Sequence, residues 1–209
     1  MRTHVRLVIY DCDGVLFDSL EANRRLYTDI AMKAGRGPLS EEETKYCHTH
    51  TVYESIHFLF RDHADKEEHA LRVLKSIDLA RYVVYLRMEP FVKETLAKLK
   101  EIGIRRAIST NRTTTMPYIM ERFDLYPFFD MVVTALDVEH PKPHPESITK
   151  ILRALSVEAS QALFIGDSEV DRKAALSSGV RFISYKNREI EADGFIESHR
   201  DLISLLLKG

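Results

Sequence analysis

The sequence predicts a doubly wound α/β core with a mostly parallel, Rossmann-like sheet, and a small all-helical domain inserted after the first strand. Three observations carry this. Short apolar runs at 7–10, 105–109, 131–134, 162–165 and 181–184 recur with helical patterns between them. Strands alternating with helices need right-handed crossovers, and those build a parallel sheet. Between residue 19 and about residue 87 the alternation stops, and helical stretches without a strand run take over. A segment of that length is a domain in its own right, because structureless loops beyond about 15 residues are rare. The expected division is residues 1–18 with 88–209 as the α/β core domain, and residues 19–87 as a helical cap domain.

The elements follow in order. Leu7-Val8-Ile9-Tyr10 is the first strand. Asp18 or Ser19 is placed to cap a helix over 20–34, with Glu21 available in its first turn. Further helices are expected over 41–46, 53–61 and 66–86, while Gly35-Arg36-Gly37-Pro38 and Cys47-His48-Thr49-His50-Thr51 read as loops. The stretch 91–101 carries apolar residues at 92, 96 and 99, and Gly103 closes it as a C-cap. Helices over 113–123, 145–155 and 169–178 follow the second, third and fourth strands, the last closed by Gly179. A helix over 201–208 ends the chain. No internal repeat or low-complexity segment is visible.

Composition narrows the function. Of 209 residues, 44% are hydrophobic and 30% charged, which is ordinary for a folded globular protein. The net charge of −2 leaves no basic footprint, so nucleic acid is not an expected partner. No run approaches the roughly 20 apolar residues of a membrane span, so no membrane partner is expected either. The first four residues lead straight into the first strand, leaving no room for a signal peptide. The two cysteines, Cys12 and Cys47, make no disulfide framework, which fits a reducing cytoplasm as the expected compartment. Cys12 lies between two aspartates, but side chains alternate on a strand, so it should point away from both and pack as a buried cysteine.

Four polar clusters each follow a predicted strand: Asp11-x-Asp13, Ser109-Thr110-Asn111, Pro141-Lys142-Pro143-His144-Pro145-Glu146, and Gly166-Asp167-Ser168-Glu169-Val170-Asp171. Ligands of open α/β sheets bind outside the carboxyl ends of the strands, so all four should meet in one crevice. Two carboxylates two residues apart at a buried strand end repel each other unless a cation or proton offsets them. Asp11, Asp13 and Asp167 offer the oxygen ligands that Mg²⁺ prefers. Thr110 supplies a hydroxyl, loop amides near Asn111 can donate to phosphate oxygens, and Lys142 adds a compact positive charge stiffly held between prolines. That set suits a phosphoryl group, whose transfer needs mainly positioning and charge stabilisation.

These four motifs, Asp11-Cys-Asp-Gly-Val-Leu-Phe-Asp-Ser among them, resemble in order and spacing those of the haloacid dehalogenase superfamily. The similarity is to its phosphoglycolate-phosphatase-like branch, with a helical cap after the first motif. The resemblance covers the core from residue 5 to about 200; in the cap only position and helical character match. It implies Asp11 as nucleophile and metal ligand, forming an aspartyl-phosphate, and Asp13 as acid and base, with its backbone carbonyl on Mg²⁺. It further implies Thr110 and Lys142 on the phosphoryl oxygens and Asp167 as the third protein ligand. Asp171 would orient the metal shell or Lys142. The second aspartate of the first motif argues against dehalogenation.

The expected function is therefore a Mg²⁺-dependent phosphatase acting on a small phosphorylated metabolite, with phosphoglycolate as first guess by fold-level analogy. A β-phosphoglucomutase-like phosphotransferase, a pyrophosphatase or nucleotidase, and a non-catalytic phospho-ligand sensor are the alternatives. A monomer or homodimer is expected. Further substrate contacts are expected from Arg112, which neighbours the phosphate loop, and from His48 and His50. The His-x-His pair lacks the acid or cysteine set of a zinc site, and is instead expected to overhang the core site and touch the leaving group.

Overall fold

Leu7–Tyr10 (β1) is buried along its whole length, as a central parallel strand covered on both faces must be. This computed structural model describes residues 4–50 and 52–208, without the side chains of Thr49 and Lys208. The N-terminal reading drawn from residues 1–3 and the Thr51 end of the expected 47–51 loop lie outside the described residues. The chain forms two compact units, Met1–Asp18 with Met88–Gly209, and Ser19–Arg87.

After β1 a two-residue strand, Phe17–Asp18 (β2), precedes the helical unit. That unit contains Leu20–Lys33 (α1), Glu41–Thr49 (α2), Val52–Phe60 (α3) and Ala64–Ser76 (α4). Its core gathers Tyr27, Ile30, Ala31, Cys47, Ile56, Phe60 and Ala70. Three local expectations are corrected here. Ser19 sits at the N-cap of α1 but makes no capping bond; its hydroxyl is buried without a partner, and Glu21 pairs instead with Arg24 and Arg25. Cys47, His48 and Thr49 are helical, not loop, because a Ser40–Glu43 capping box starts α2 and buried Cys47 carries it another turn. The helix expected over 66–86 stops at Ser76, and a 3₁₀ segment, Leu79–Tyr85, restarts under an Asp78 cap.

Arg87–Met88 (β3) pairs with β2, and the second half of the α/β unit follows. Its elements are Val92–Glu101 (α5), Arg105–Ser109 (β4), Met116–Arg122 (α6), Met131–Val133 (β5), Glu146–Ala154 (α7), Ala162–Gly166 (β6), Glu169–Ser177 (α8), Arg181–Tyr185 (β7), Gly194–Ile196 (β8) and His199–Lys208 (α9). The six-stranded sheet runs β5-β4-β1-β6-β7-β8, and every pairing is parallel. The doubly wound architecture expected from the sequence is the one that forms, with one added strand, β8. Gly103 and Gly179 close α5 and α8 at φ +77° and +72°, the left-handed geometry of a helix C-terminus.

Leu7 faces Arg105 on β4 and Ala162 on β6, so β1 is where the sheet order reverses. Leu7 and Ile9 pack with Ile148, Ile151 and Ala174 of α7 and α8; α5 packs with α9, and helices cover both sides of the sheet. The crevice beyond the carboxyl ends of β4, β1 and β6 is thus the ligand position the topology creates.

Candidate active site

Asp11 ends β1: its N–H still donates to Ile165 of β6 at 2.9 Å, so the ladder fixes the backbone while the side chain leaves the strand. The chain then turns tightly, with the Leu16 and Phe17 N–H groups both on the Cys12 carbonyl at 3.0 Å. Gly14 has φ +72°, and a Cβ there would lie 1.9 Å from Asp167 Oδ2. Only glycine lets the Asp167 carboxylate come this close to the turn. Gly166, at the end of β6, gives similar clearance, since its Cβ would lie 2.4 Å from Asp171 Cβ.

Lys142 is the centre of the site, at 5% exposure. Its ammonium donates to Asp11 Oδ1 at 2.7 Å and to Asp171 Oδ1 at 2.6 Å. Asp171 is itself held by Ser168, whose hydroxyl donates to Asp171 Oδ2 at 2.6 Å and accepts from the Asp171 N–H that it caps. Both Asp171 oxygens are therefore used to aim Lys142. The loop bearing Lys142 is clamped by Asn111: Asn111 Nδ2 donates to the Lys142 carbonyl at 2.8 Å, and the Lys142 N–H donates to Asn111 Oδ1 at 3.0 Å. Glu146 adds a second clamp by accepting from the Glu139 and His140 N–H groups, each at 2.9 Å.

Thr110 is buried at the end of β4, where its N–H donates to Val133 and its hydroxyl accepts from the Arg112 N–H at 3.1 Å. Arg112 in turn grips Asp13 with two parallel bonds, Nε to Oδ2 at 2.7 Å and Nη2 to Oδ1 at 2.5 Å.

Four carboxylates here, Asp11, Asp13, Asp167 and Asp171, face two cations, Lys142 and Arg112. Burial, then the charges of Asp171 and Asp11, push the Asp167 carboxyl up to about 8. Burial and Asp171 likewise raise Asp11, against the pull of Lys142. Burial disfavours the Lys142 charge, but Asp11 and Asp171 more than offset it and hold the ammonium above the usual lysine range. Ligand oxygens of Asp11, Asp167 and Asp171 lie within 4.8 Å of one another. Such a hard, oxygen-only, electron-rich set fits a divalent cation of the Mg²⁺ class.

The sequence profile of the haloacid dehalogenase-like hydrolases matches residues 8–185. The chain belongs to that family. A HAD-superfamily hydrolase of subfamily IA, variant 1, from Geobacter sulfurreducens PCA has a crystal structure that is 39% identical to this hydrolase. Its TM-score is 0.84, and the match covers 98% of this chain and 97% of that one. A phosphoglycolate phosphatase of Rhodobacter capsulatus is 28% identical over 187 residues, covering 85% of this chain and 83% of the relative. A pyrophosphatase PpaX of Bacillus velezensis is 26% identical over 178 residues, covering 85% and 81%.

Of the residues singled out from the sequence, the hydrolase brings Asp11, Asp13, Thr110, Asn111, Arg112, Lys142, Asp167 and Asp171 together through the contacts above. Asn111 and Arg112 spend their side chains on Lys142 and Asp13. His48 and His50 belong to the helical unit. There the His48 Nδ1 is 3.2 Å from Asn23 Nδ2, and the His50 ring stacks on Tyr46 at 3.8 Å. Cys12 is buried, and burial first, then Asp13, raises its thiol, so it packs as expected and its thiolate form is disfavoured. Two supports were missed. Asn187 Nδ2 donates to the Asp167 carbonyl at 2.9 Å, and buried His199 donates from Nε2 to the Val15 carbonyl at 2.9 Å, tying α9 to the Asp13 turn. Neither has a local sequence signal.

Proposed function

We propose that this hydrolase is a Mg²⁺-dependent phosphatase of small phosphorylated metabolites, working through an aspartyl-phosphate on Asp11. The observation that carries the reading is the buried ammonium of Lys142, bonded at once to Asp11 and Asp171 at the end of β1. A cation fixed beside a strand-end carboxylate is what an anionic phosphoryl group needs before a carboxylate can approach it.

Asp11, Asp167 and the Asp13 carbonyl would hold Mg²⁺, which when bound would offset charge on the phosphoryl oxygens. Lys142 would hold a phosphoryl oxygen, with Thr110 beside it. An Asp11 carboxylate oxygen attacks phosphorus, the P–O ester bond breaks, and Asp13 gives its proton to the leaving oxygen. Asp13 then takes a proton from the water that attacks phosphorus, which frees phosphate and restores Asp11. The cytoplasm as compartment belongs to the same reading; among the described residues no helix is long and apolar enough to cross a membrane.

The names of the relatives make phosphoglycolate and pyrophosphate the first substrates to try. Phosphate release from a panel of phosphorylated metabolites should require Mg²⁺, stop in EDTA, and disappear in Asp11→Asn. Full activity in Asp11→Asn would overturn the nucleophile and the reading with it.

A further inference from the structure

The carboxylate that the phosphatase reading makes acid and base is held on both oxygens by one side chain. Arg112 takes both Asp13 oxygens, at 2.7 and 2.5 Å, and its third arm, Nη1, donates to Thr115 Oγ1 at 3.2 Å. The fork takes one lone pair on each oxygen and fixes the carboxylate's orientation, so Asp13 is held toward Arg112 rather than turned to a leaving oxygen or a water. The arrangement is a resting one. Asp13 cannot simply swing away, because Arg112 keeps only 16% of its side chain exposed and a buried cation without an anion is costly. Lys142 cannot lend its partners, since Asp11 and Asp171 are already bonded to it. The pair opens when another anion takes the place of Asp13 on the guanidinium. Arg112 stands two residues from Thr110, and its backbone N–H donates to the Thr110 hydroxyl, so its backbone borders the proposed phosphoryl pocket.

We infer that Arg112 is an anion-operated latch on Asp13. A second anionic group on the leaving part of the substrate takes the guanidinium, and only then is the Asp13 carboxylate released to meet the leaving oxygen. The latch rests on the phosphatase reading of Asp13 and adds a selection rule to it: turnover favours phosphoesters and phosphoanhydrides whose leaving part carries a carboxylate or a phosphate. A neutral ester of equal size still docks its phosphoryl group but leaves Asp13 locked.

The test compares wild type and Arg112→Gln on phosphoglycolate, pyrophosphate and the neutral-tailed 2-hydroxyethyl and ethyl phosphates, all with Mg²⁺. Wild type should favour the anionic tails by about 5- to 150-fold, the span of an ordinary coupling between two sites, and mainly in kcat rather than KM. The ratio between phosphoglycolate and pyrophosphate tells which anion opens the latch better. Arg112→Gln should lose the preference, with kcat rising on the neutral esters and falling on the anionic ones. Arg112→Lys, which cannot make the two-pronged bond, should fall between. Free glycolate should speed ethyl phosphate turnover in wild type and not in Arg112→Gln. A merely structural ion pair would give none of these splits.

Equal kcat on anionic and neutral tails in wild type overturns the latch. So does an unchanged ratio in a folded Arg112→Gln. Should that variant fail to fold, the wild-type ratio together with glycolate activation decides, and absence of both overturns the proposal. Asp11-dependent turnover without any anion preference defeats the latch alone, whereas phosphate release that survives Asp11→Asn defeats the phosphatase reading.

Discussion

Lys142→Met isolates what the buried ammonium does for the fold. Methionine keeps most of the apolar stem but strands two carboxylates, Asp11 at 8% and Asp171 at 1% exposure, that were bonded to one cation at 2.7 and 2.6 Å. Removing one partner of a buried ion pair costs about 3–5 kcal/mol. At about 2–4 °C per kcal/mol for a chain of this size, the melting temperature in EDTA should fall by about 6–20 °C. The stranded acids can escape part of that cost by taking up a proton. Their folded-state affinity for protons then exceeds that of the unfolded chain, so stability declines as pH rises. The deficit of Lys142→Met should therefore be larger at pH 8 than at pH 5.5. A second substitution checks the cause. Asp171→Asn alone should destabilise, since it weakens the hold on Lys142. Added to Lys142→Met, it removes one stranded charge and should restore part of the loss, a reversal of sign that a double-mutant cycle reads directly. Urea or thermal melts followed by circular dichroism give all four values. A Lys142→Met protein within about 1 kcal/mol of wild type at pH 8 would refute the reasoning, as would an Asp171→Asn loss that simply adds.

Gly166→Ala should cost about 1–3 kcal/mol by overpacking, because its Cβ meets Asp171 Cβ at 2.4 Å and Asp171 is anchored by both α8 and Ser168. Phosphate release should drop with it as Asp171 loses its aim on Lys142; wild-type melting and activity together would contradict the packing argument. Asp167 has a folded-state pKa of about 8 against an ordinary 3.8. Its stabilising contribution is therefore full below about 4 and is lost as pH rises through about 8 in metal-free protein. Mg²⁺ favours the ionised carboxylates, so the melting-temperature gain on adding Mg²⁺ should grow from pH 5 to 8.5, with protons released on binding. The same gain at both ends of that range would rule out a carboxylate-held ion.

The parts of the fold that could be read from the chain are those where one periodicity dominates. β1 and β6 are continuous apolar runs because both faces are covered, and they stand out. β8 does not: three residues, opening on a glycine and only partly buried, carry no period to detect. The last turn of α2 reads as loop because Cys47, His48 and Thr49 look polar and short, and only the core of the helical unit explains why Cys47 turns inward. In the site, residues that act through their own chemistry were legible, since acids and a lysine at strand ends are costly without a task. Residues that act by holding others were not. His199 reaches Val15 across 184 positions and Asn187 reaches Asp167 across 20, distances over which a sequence gives no pairing. Arg112 was visible as a cation near phosphate, but its engagement with Asp13, 99 positions away, appears only when β1 and β4 lie side by side.

The pairing pattern also separates four chemically similar aspartates into different tasks. Asp11 and Asp171 share Lys142, a cation that never leaves, because it is covalently part of the chain and buried. Asp13 shares Arg112, which is equally permanent in charge and only 16% exposed, whereas Asp13 itself is 33% exposed. Asp167 forms no ion pair among the described residues, and its carboxyl is pushed up to about 8, further than that of Asp11. A half-buried acid beside other acids and without a counter-ion is disfavoured in its charged form, so it holds either a proton or an ion from solution. Two negative charges remain when the two protein cations are set against the four acids, and a single divalent ion cancels both. The carboxylate lacking a fixed partner is thus the one suited to an exchangeable partner, whereas the carboxylate that the proposed mechanism uses to move a proton is the one that the proposed latch releases.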